Sequence, residues 1–270
     1  MVQFDVNISI LLKEVPFLER FRRAAELGFG AVELWWPGDE QADAVVRQVR
    51  EHGLQVALMN FDAGDMAAGE RGFLNDPAQQ ERFREHVPRA LDLARALGCP
   101  RLNALVGNRL AGVGEEEQRT LVYENLVWAA DRAARAGVEI VVESLNSFEN
   151  PRYPLTTTAD VLDLLDRVNR PNVRYQYDIY HMQRMEGNIL ATLRKHLARI
   201  GHIQVADSPG RHEPGTGELH YRHILEELER LDYRLFVGLE YNPRTTSEES
   251  FAWLPAEKKG SNSVSRLRLL

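Results

Sequence analysis

The sequence contains one cysteine, Cys99, among 270 residues. A lone cysteine cannot form an internal disulfide, so a disulfide-framed secreted protein is excluded and a reducing cytoplasm is the expected location. The N-terminal segment lacks a basic stretch followed by an apolar run and a small-residue cleavage site, so it does not resemble a signal peptide. No apolar run approaches the roughly 20 residues that span a bilayer, so we expect no membrane partner.

Basic residues are also fewer than acidic ones. The chain has 33 Lys and Arg residues against 40 Asp and Glu residues, which gives a formal net charge of −7. Nucleic acids and anionic membranes select basic surfaces, so neither is expected as a partner. Hydrophobic residues make up 44% of the chain, an ordinary value for a globular protein, and no Pro-, Gly- or Ser-rich linker divides it. We therefore expect one folded domain.

The chain alternates short apolar runs with longer segments of helical period. The runs predicted as strands are Phe4–Ile10, Ala31–Trp35, Leu54–Met59, Arg101–Val106, Val138–Glu143, Val173–Asp178, His202–Ala206 and Leu235–Glu240. The segments predicted as helices are Val15–Leu27, Gln41–His52, Pro77–Leu97, Glu115–Ala136, Thr158–Val168, Asn188–Ala198, Glu218–Leu231 and Ser247–Trp253. Glycines such as Gly98 and Gly137 follow a helical run directly before a strand, where a left-handed residue ends a helix.

Strands that are each followed by a helix predict a single (β/α)8 TIM barrel over residues 1–256. A doubly wound dinucleotide-binding fold would show GxGxxG after an early strand, and the sequence has no such motif. The strands are near-continuously apolar, as expected for a parallel sheet covered by helices. Residues 257–270 are polar and basic and are predicted to form a tail beyond the barrel, for which packing on a neighbouring subunit and disorder are both open.

The active site of a (β/α)8 barrel lies at the C-terminal ends of its strands. The last polar residues of four consecutive predicted strands are Glu143, Asp178, Gln204 and Glu240, at spacings of 35, 26 and 36 residues. Oxygen ligands of this kind suit a hard divalent cation, Mg²⁺ or Mn²⁺, and three crowded carboxylates would repel one another without one. We therefore predict a divalent-metal site, with one glutamate left to transfer protons. A structural or protease-type zinc site is not expected, because a second cysteine and HExxH are both missing.

Two residues beside these strand ends are candidates for contact with a substrate. In DIYHMQ, His181 lies on the predicted loop after the sixth strand, where it would bind a substrate oxygen or assist proton transfer. In the long loop ADSPGRHEPGTGEL, Arg211 is a candidate partner for a substrate carboxylate. The alternatives are a structural loop histidine and a solvated arginine.

The earlier strands contribute further candidates. Arg71, in the phrase GERG, is a second possible anion contact on the loop Asp62–Asp76, which we predict to act as a lid. Trp36 and Asn60, after the second and third strands, are predicted to line a small polar pocket. Aromatic packing within the barrel explains the tryptophan almost as well.

The strand ends VVESLN, YQYDIYHMQRMEGN, GHIQVADSPGRHEPGTGEL and VGLEYNP resemble the hydroxypyruvate isomerase family of the xylose isomerase-like barrels. The phrases AGERG and NSFENPRYPL fit the same family, so the resemblance covers about residues 1–255. It implies a (β/α)8 barrel, a homodimer and the interconversion of hydroxypyruvate with 2-hydroxy-3-oxopropanoate (tartronate semialdehyde). By resemblance, Glu143 and Glu240 are the proton-transferring pair, and together with Asp178 and Gln204 they hold the metal. Many related sugar isomerases carry histidine where Gln204 stands, and glutamine agrees with the hydroxypyruvate branch.

This chemistry suits the residues. Isomerisation moves a proton from C3 to C2 through an enediol, so a metal and two glutamates suffice and no nicotinamide or flavin is needed. One alternative is a related isomerase or epimerase that uses the same residues on a 2-oxo-tetronate or a ketose. A second is a non-catalytic metal- or ligand-binding barrel, although both proton-transfer glutamates are present. A barrel endonuclease would need more histidines at the strand ends and a basic groove, which the net charge of −7 disfavours.

Overall fold

A computed structural model describes residues 2–254 as a barrel of parallel strands that are hydrogen-bonded in chain order. The strands are β1 (Gln3–Asn7), β2 (Ala31–Leu34), β3 (Gln55–Asn60), β4 (Arg101–Asn103), β5 (Glu139–Glu143), β6 (Val173–Asp178), β7 (Ile200–Val205) and β8 (Phe236–Leu239). β1 also pairs with β8, which closes the barrel. The predicted (β/α)8 fold is confirmed.

Helices follow the strands and cover the outside of the barrel. They are α1 (Glu19–Glu26), α2 (Ala42–Glu51), α3 (Gln80–Leu97), α4 (Glu115–Ala136), α5 (Thr158–Val168), α6 (Ile179–Met185), α7 (Ile189–His196), α8 (Tyr221–Arg230) and α9 (Ser247–Ser250). One face of α3, which carries Phe83, Val87 and Leu91 at helical spacing, is buried. No helix within residues 2–254 is long and apolar enough to cross a membrane.

Helix bounds agree best with prediction where the chain carries clear end signals. α4 and α5 have the predicted bounds: Gly137 is left-handed at the end of α4, and Thr157 forms a capping box with Asp160 at the start of α5. The predicted first helix begins late, at Glu19, because residues 13–18 form turns. Residues 257–270, the predicted tail, lie outside the described residues.

The prediction of near-continuously apolar strands is wrong for the inner face of the barrel. Buried polar side chains alternate with apolar ones along the strands: Asp5 and Asn7 on β1, Glu33 on β2, Arg101 and Asn103 on β4, Gln176 and Asp178 on β6, and His202 and Gln204 on β7. Gln204 donates a hydrogen bond to Glu33 although β7 and β2 are not neighbours, so this contact crosses the interior. The barrel therefore encloses a polar core.

The connection after β6 also differs from prediction. α6 begins at Ile179, the residue directly after the last residue of β6, and Asp178 caps it by accepting hydrogen bonds from the backbone N–H groups of Tyr180 and His181. His181 is therefore on a helix and not on a loop. The helix was missed because six residues of strand and seven of helix follow each other without turn residues between them.

Candidate active site

Three carboxylates converge at the C-terminal end of the barrel. Glu143 ends β5, Asp178 ends β6 and Glu240 directly follows β8, and all three are buried. The parallel pairing of β6 with β7 sets Asp178 level with Gln204. The predicted group of strand-end residues is thus assembled in one place.

Burial and mutual repulsion disfavour ionisation of these carboxylates. Burial raises the pKa of Glu143 well above its ordinary value, and the charges of Glu240 and Asp178 raise it further. Burial also raises the pKa of Asp178 to about 6 and that of Glu240 to about 8, against the opposing effect of the Arg211 cation. The site therefore favours either bound protons or a cation.

Glu143 is held through one of its two oxygens. Its Oε2 accepts hydrogen bonds from Asn103 Nδ2 at 3.1 Å and Gln176 Nε2 at 3.0 Å. Its Oε1 lies 4.0 Å from His181 Nε2. One oxygen is thus fixed by two amide donors, while the other faces the histidine.

His181 is presented as a neutral hydrogen-bond donor. Its Nδ1 accepts the backbone N–H of Asn146 at 3.1 Å, which places the ring proton on Nε2, 3.5 Å from Asp178 Oδ2. Burial lowers the pKa of His181 well below its ordinary value, and the charges of Arg211, Arg71 and Arg184 act in the same direction. The Nε2–H group therefore suits a substrate oxygen better than a metal ion, which needs a lone pair on that nitrogen.

Arg211 reaches the carboxylates from the loop after β7. Its Nη2 donates to Glu240 Oε2 at 2.7 Å and lies 3.9 Å from Asp178 Oδ2, while Asn7 Nδ2 donates to Glu240 Oε1 at 2.8 Å. Burial alone would lower the pKa of Arg211, but the surrounding carboxylates outweigh it and raise the pKa. The guanidinium remains charged at the mouth of the barrel, as an anion contact requires.

Asp207 organises this loop and has no counterpart among the predicted site residues. Its Oδ2 accepts the backbone N–H groups of Gly215 and Thr216, and its Oδ1 accepts those of Ser208 and Leu219. The backbone N–H of Arg211 donates to the Asp207 carbonyl oxygen at 2.8 Å. One aspartate thus shapes the glycine- and proline-rich loop that carries Arg211.

Arg71 is fixed by uncharged groups. Its Nε donates to Asn150 Oδ1 at 2.8 Å and its Nη1 to the carbonyl oxygen of Met66 at 3.0 Å. Burial lowers its pKa, and the nearby Arg211 cation lowers it further. Gly72 keeps this segment against the barrel, because a Cβ there would lie 1.8 Å from the carbonyl oxygen of Leu105. Arg71, the residue before Gly72, is therefore held close to Arg211.

Trp36 and Asn60 line a cavity of about 230 Å³ beside residues 61–67. Trp36 packs edge-to-face on His86, with ring centroids 4.5 Å apart. A cavity of about 390 Å³ between α4 and α5 contains none of the predicted site residues. The space next to Trp36 and Asn60 lies at the C-terminal ends of β2 and β3, as the sequence predicts.

Comparison with known proteins identifies the family of this chain. A family model described as a xylose isomerase-like TIM barrel matches residues 21–257. Hydroxypyruvate isomerase from Escherichia coli is 41% identical over 94% of this chain and 98% of its own length. The chain belongs to the hydroxypyruvate isomerase family.

Members of this family are isomerases, and this chain is one of them. A relative from Pectobacterium atrosepticum named 2-oxo-tetronate isomerase is 37% identical over 94% of this chain and 97% of its own length. A solved Brucella melitensis structure described as an AP endonuclease of family 2 is 42% identical, covers 94% of this chain and 98% of its own, and has a TM-score of 0.89. Family and isomerase class agree with the sequence prediction.

The residues of this hydroxypyruvate isomerase family member suit a divalent cation. Carboxylate oxygens of Glu143 and Asp178 lie within 4.8 Å of each other. Asp178 Oδ2 is buried and has no hydrogen-bond partner among residues 2–254. Gln204 Oε1 accepts from Gln176 Nε2 at 2.7 Å, and an amide oxygen with two lone pairs keeps one for a cation. Oxygen ligands with surplus negative charge fit Mg²⁺ or Mn²⁺.

Sequence reasoning missed the residues that support the site in this isomerase: Glu33, Asn103, Asn146, Gln176 and Asp207. Gln176 and Asn103 lie inside strands, where a polar residue gives a signal only through its alternation with apolar neighbours. Asn146 contacts His181 Nδ1 through both its backbone N–H and its side-chain Nδ2, and it lies after β5, where no strand or helix pattern marks it. Asn103 and Gln176 hold Glu143, and Asn146 holds His181. Asp207 shapes the loop that carries Arg211.

Proposed function

We propose that this protein interconverts hydroxypyruvate and 2-hydroxy-3-oxopropanoate, with Glu143 and Glu240 as the proton-transferring pair. The observation that carries the proposal is that two buried glutamates share one site but have different partners. Two amide donors hold Glu143, whereas a guanidinium and one amide hold Glu240. Different environments for two carboxyl groups are what a base and an acid in one site require.

The reaction needs no external oxidant or reductant. One glutamate takes a proton from C3, and the electrons of the broken C–H bond form the C2=C3 bond of an enediol, whose former ketone oxygen gains a proton. The other glutamate then delivers a proton to C2, while the C3 hydroxyl loses its proton and becomes the aldehyde oxygen. The glutamates exchange roles in the reverse direction.

Neighbouring residues supply binding and charge stabilisation. The Nε2–H of neutral His181 suits the substrate oxygen on which negative charge develops. Arg211 and Arg71 bring guanidinium groups to the mouth of the barrel, where they suit the carboxylate of a 2-oxo acid. Trp36 and Asn60 would form the wall of the pocket.

We assign the metal site to Glu143, Asp178, Gln204 and Glu240. When bound there, Mg²⁺ or Mn²⁺ would supply positive charge that stabilises the enediolate oxygens. The support is the unpartnered Asp178 Oδ2 together with the raised pKa values of the three carboxyl groups.

A 2-oxo-tetronate is the second candidate substrate. It carries the same carboxylate and ketone with one more carbon, and relatives 37% and 34% identical to this chain are named 2-oxo-tetronate isomerase. Comparing kcat/KM for the two acids decides between them.

The deciding experiment follows the Mn²⁺- or Mg²⁺-loaded protein by NMR with hydroxypyruvate in D₂O beside an enzyme-free control. Formation of 2-hydroxy-3-oxopropanoate above the control, with deuterium at the carbon that receives the proton, supports the proposal. Turnover of 2-oxo-tetronate without turnover of hydroxypyruvate moves the assignment to the longer acid. No turnover of either acid contradicts it.

Assembly and location belong to the same proposal. We expect a homodimer, a cytoplasmic location and a barrel domain over residues 1–256 followed by the tail 257–270. The resemblance to the family implies the homodimer, and the single cysteine favours the cytoplasmic location. Light scattering during size-exclusion chromatography measures the assembly directly.

A further inference from the structure

A line of hydrogen bonds runs through the barrel interior from Glu33 to Glu143. Gln204 Nε2 donates to Glu33 Oε1 at 2.7 Å, and Gln204 Oε1 accepts from Gln176 Nε2 at 2.7 Å. Gln176 Nε2 donates in turn to Glu143 Oε2 at 3.0 Å. Two amides on neighbouring strands thus connect a buried carboxylate on β2 to a proposed proton-transferring glutamate on β5.

Glu33 is surrounded by hydrogen-bond donors. His202 Nε2 lies 2.7 Å from Glu33 Oε2, and Gln204 Nε2 donates to Glu33 Oε1 at 2.7 Å. Gly238 leaves the necessary space, because a Cβ there would lie 2.5 Å from Glu33 Oε2. Glu33 is therefore held as an acceptor.

An acceptor at this end fixes the direction of both amides. Glu33 Oε1 accepts from Gln204 Nε2, so the oxygen of Gln204 is turned to Gln176. Gln176 then uses both hydrogens of Nε2, one for Gln204 and one for Glu143. If the side-chain amide of Gln204 were flipped by 180°, its NH₂ group would face the NH₂ group of Gln176. Gln176 could avoid that clash only by flipping as well, which would present its oxygen to the Glu143 carboxylate.

Gln176 has no second anchor of its own. Its Oε1 is buried without a hydrogen-bond partner among residues 2–254. Its orientation therefore depends on Gln204 at one end and Glu143 at the other. Asn103, which donates to the same oxygen of Glu143, does not belong to this line of contacts.

We propose that Glu33 is a positioning residue that acts through Gln204 and Gln176 to keep an N–H donor on Glu143 Oε2, which leaves Oε1 facing the reaction. The catalytic part of this inference rests on the proposed function. It assigns a role in proton transfer to a carboxylate that touches neither the substrate pocket nor the other site carboxylates directly.

The first test compares steady-state kinetics of the wild-type protein with those of E33Q and Q176M. Each variant should lower kcat about tenfold, the effect of losing one hydrogen bond to a charged group, while KM changes by less than about twofold. E227Q is the matched control, because Glu227 is a buried glutamate on α8 whose contacts are Arg194 and Arg230. E227Q should keep the wild-type kcat. An unchanged kcat in E33Q overturns the proposal.

Double variants separate an action through Gln176 from a general loss of packing. If Glu33 acts through Gln176, E33Q/Q176M should be no slower than Q176M, whereas E33Q/N103L should show the product of the two single losses. If the loss of kcat in E33Q/Q176M equals the product of the losses in the two single variants, the proposal is overturned. If E33Q does not fold, E33D withdraws the carboxylate from Gln204 while keeping its charge, and E33D/Q176M is then compared with Q176M in the same way.

A measurement without turnover keeps this inference separate from the proposed function. The side-chain NH₂ signals of Gln176, assigned through their loss in Q176M, should shift in the ¹⁵N-correlated NMR spectrum of E33Q but not in that of E227Q. Unmoved Gln176 signals in E33Q overturn the connection whatever the substrate is. Shifted signals in a protein that turns over no 2-oxo acid leave the connection in place and contradict only the proposed function.

Discussion

Arg211 Nη2 donates a hydrogen bond to Glu240 Oε2 at 2.7 Å. The Arg211 guanidinium, from the loop after β7, thus contacts one of the two proposed proton-transferring glutamates. Because this cation also lies 3.9 Å from Asp178 Oδ2, it is near two of the three site carboxylates. Its charge suits an incoming carboxylate, which would join these groups at the barrel mouth.

Replacing Arg211 by Gln should weaken substrate binding. We expect kcat/KM for hydroxypyruvate to fall by about 10- to 100-fold, mostly through KM, because a charge-assisted contact to the carboxylate is lost. Steady-state kinetics measure this change. R222Q, which removes an exposed arginine on α8, is the control and should behave like wild type. An unchanged KM in R211Q would exclude Arg211 as the carboxylate contact.

Replacing either Glu143 or Glu240 by Gln should stop proton transfer without changing side-chain size. We expect kcat to fall by about 10²- to 10⁴-fold in each variant, the contribution of a general acid or base. Deuterium incorporation into substrate and product in D₂O should fall with it. The E227Q variant should retain full turnover. Wild-type rates in both E143Q and E240Q would mean that the proposed mechanism is wrong.

Replacing Asp178 by Asn should weaken cation binding. The variant keeps an oxygen to cap α6, but an NH₂ group replaces the unpartnered Oδ2, and NH₂ does not ligate a cation. Titration with Mn²⁺, followed by the EPR signal of the free ion, should show affinity at least about tenfold below wild type. D166N, which changes an exposed aspartate on α5, is the control. Equal Mn²⁺ affinity in D178N, or full turnover in chelated protein, would remove the cation from the proposal.

His86 should make stability depend on pH. Its Nε2 accepts the backbone N–H of Asp62 at 2.9 Å, and burial lowers its pKa to about 4. An unfolded histidine has a pKa of about 6.5 and takes up its proton first, so the free energy of unfolding falls as pH drops from 6.5 towards 4. Between pH 7 and pH 5 the loss from His86 is about 2 kcal/mol.

Urea unfolding at pH 7 and pH 5 measures this effect. In H86Q the amide oxygen can still accept the Asp62 N–H but does not titrate, so the variant should lose about 2 kcal/mol less than wild type over this interval. Other titrating groups contribute equally to both proteins. The same pH dependence in both would show that His86 does not carry the effect.

The outer layer of the fold follows from local patterns, whereas the inner layer does not. The helical period and the capping residues of α4 and α5 predict their bounds, because these signals lie within the element itself. The polar interior depends on which strand faces which across the barrel. Glu33 and Gln204 are 171 residues apart, and their contact exists only because the barrel closes.

The candidate site likewise contains residues that the sequence predicts and residues that it does not. Glu143, Asp178, Gln204 and Glu240 could be predicted because each lies at or next to the C-terminal end of a strand and the fold brings strand ends together. The donors on Glu143 could not, since Asn103 and Gln176 were hidden within strands that look apolar. His181 was assigned to the correct end of the barrel but to the wrong element, because α6 starts without turn residues.

The immediate succession of β6 and α6 restricts how this barrel can be redesigned. Asp178 is the last residue of the strand, the cap of the helix and a proposed metal ligand. An insertion at this junction would therefore disturb the strand end, the helix cap and the proposed metal site at once. In the loop after β7, Asp207 accepts backbone N–H groups near both ends of the loop. Changes in substrate range are therefore best sought in the loops after β2, β3 and β7, with the β6–α6 junction left untouched.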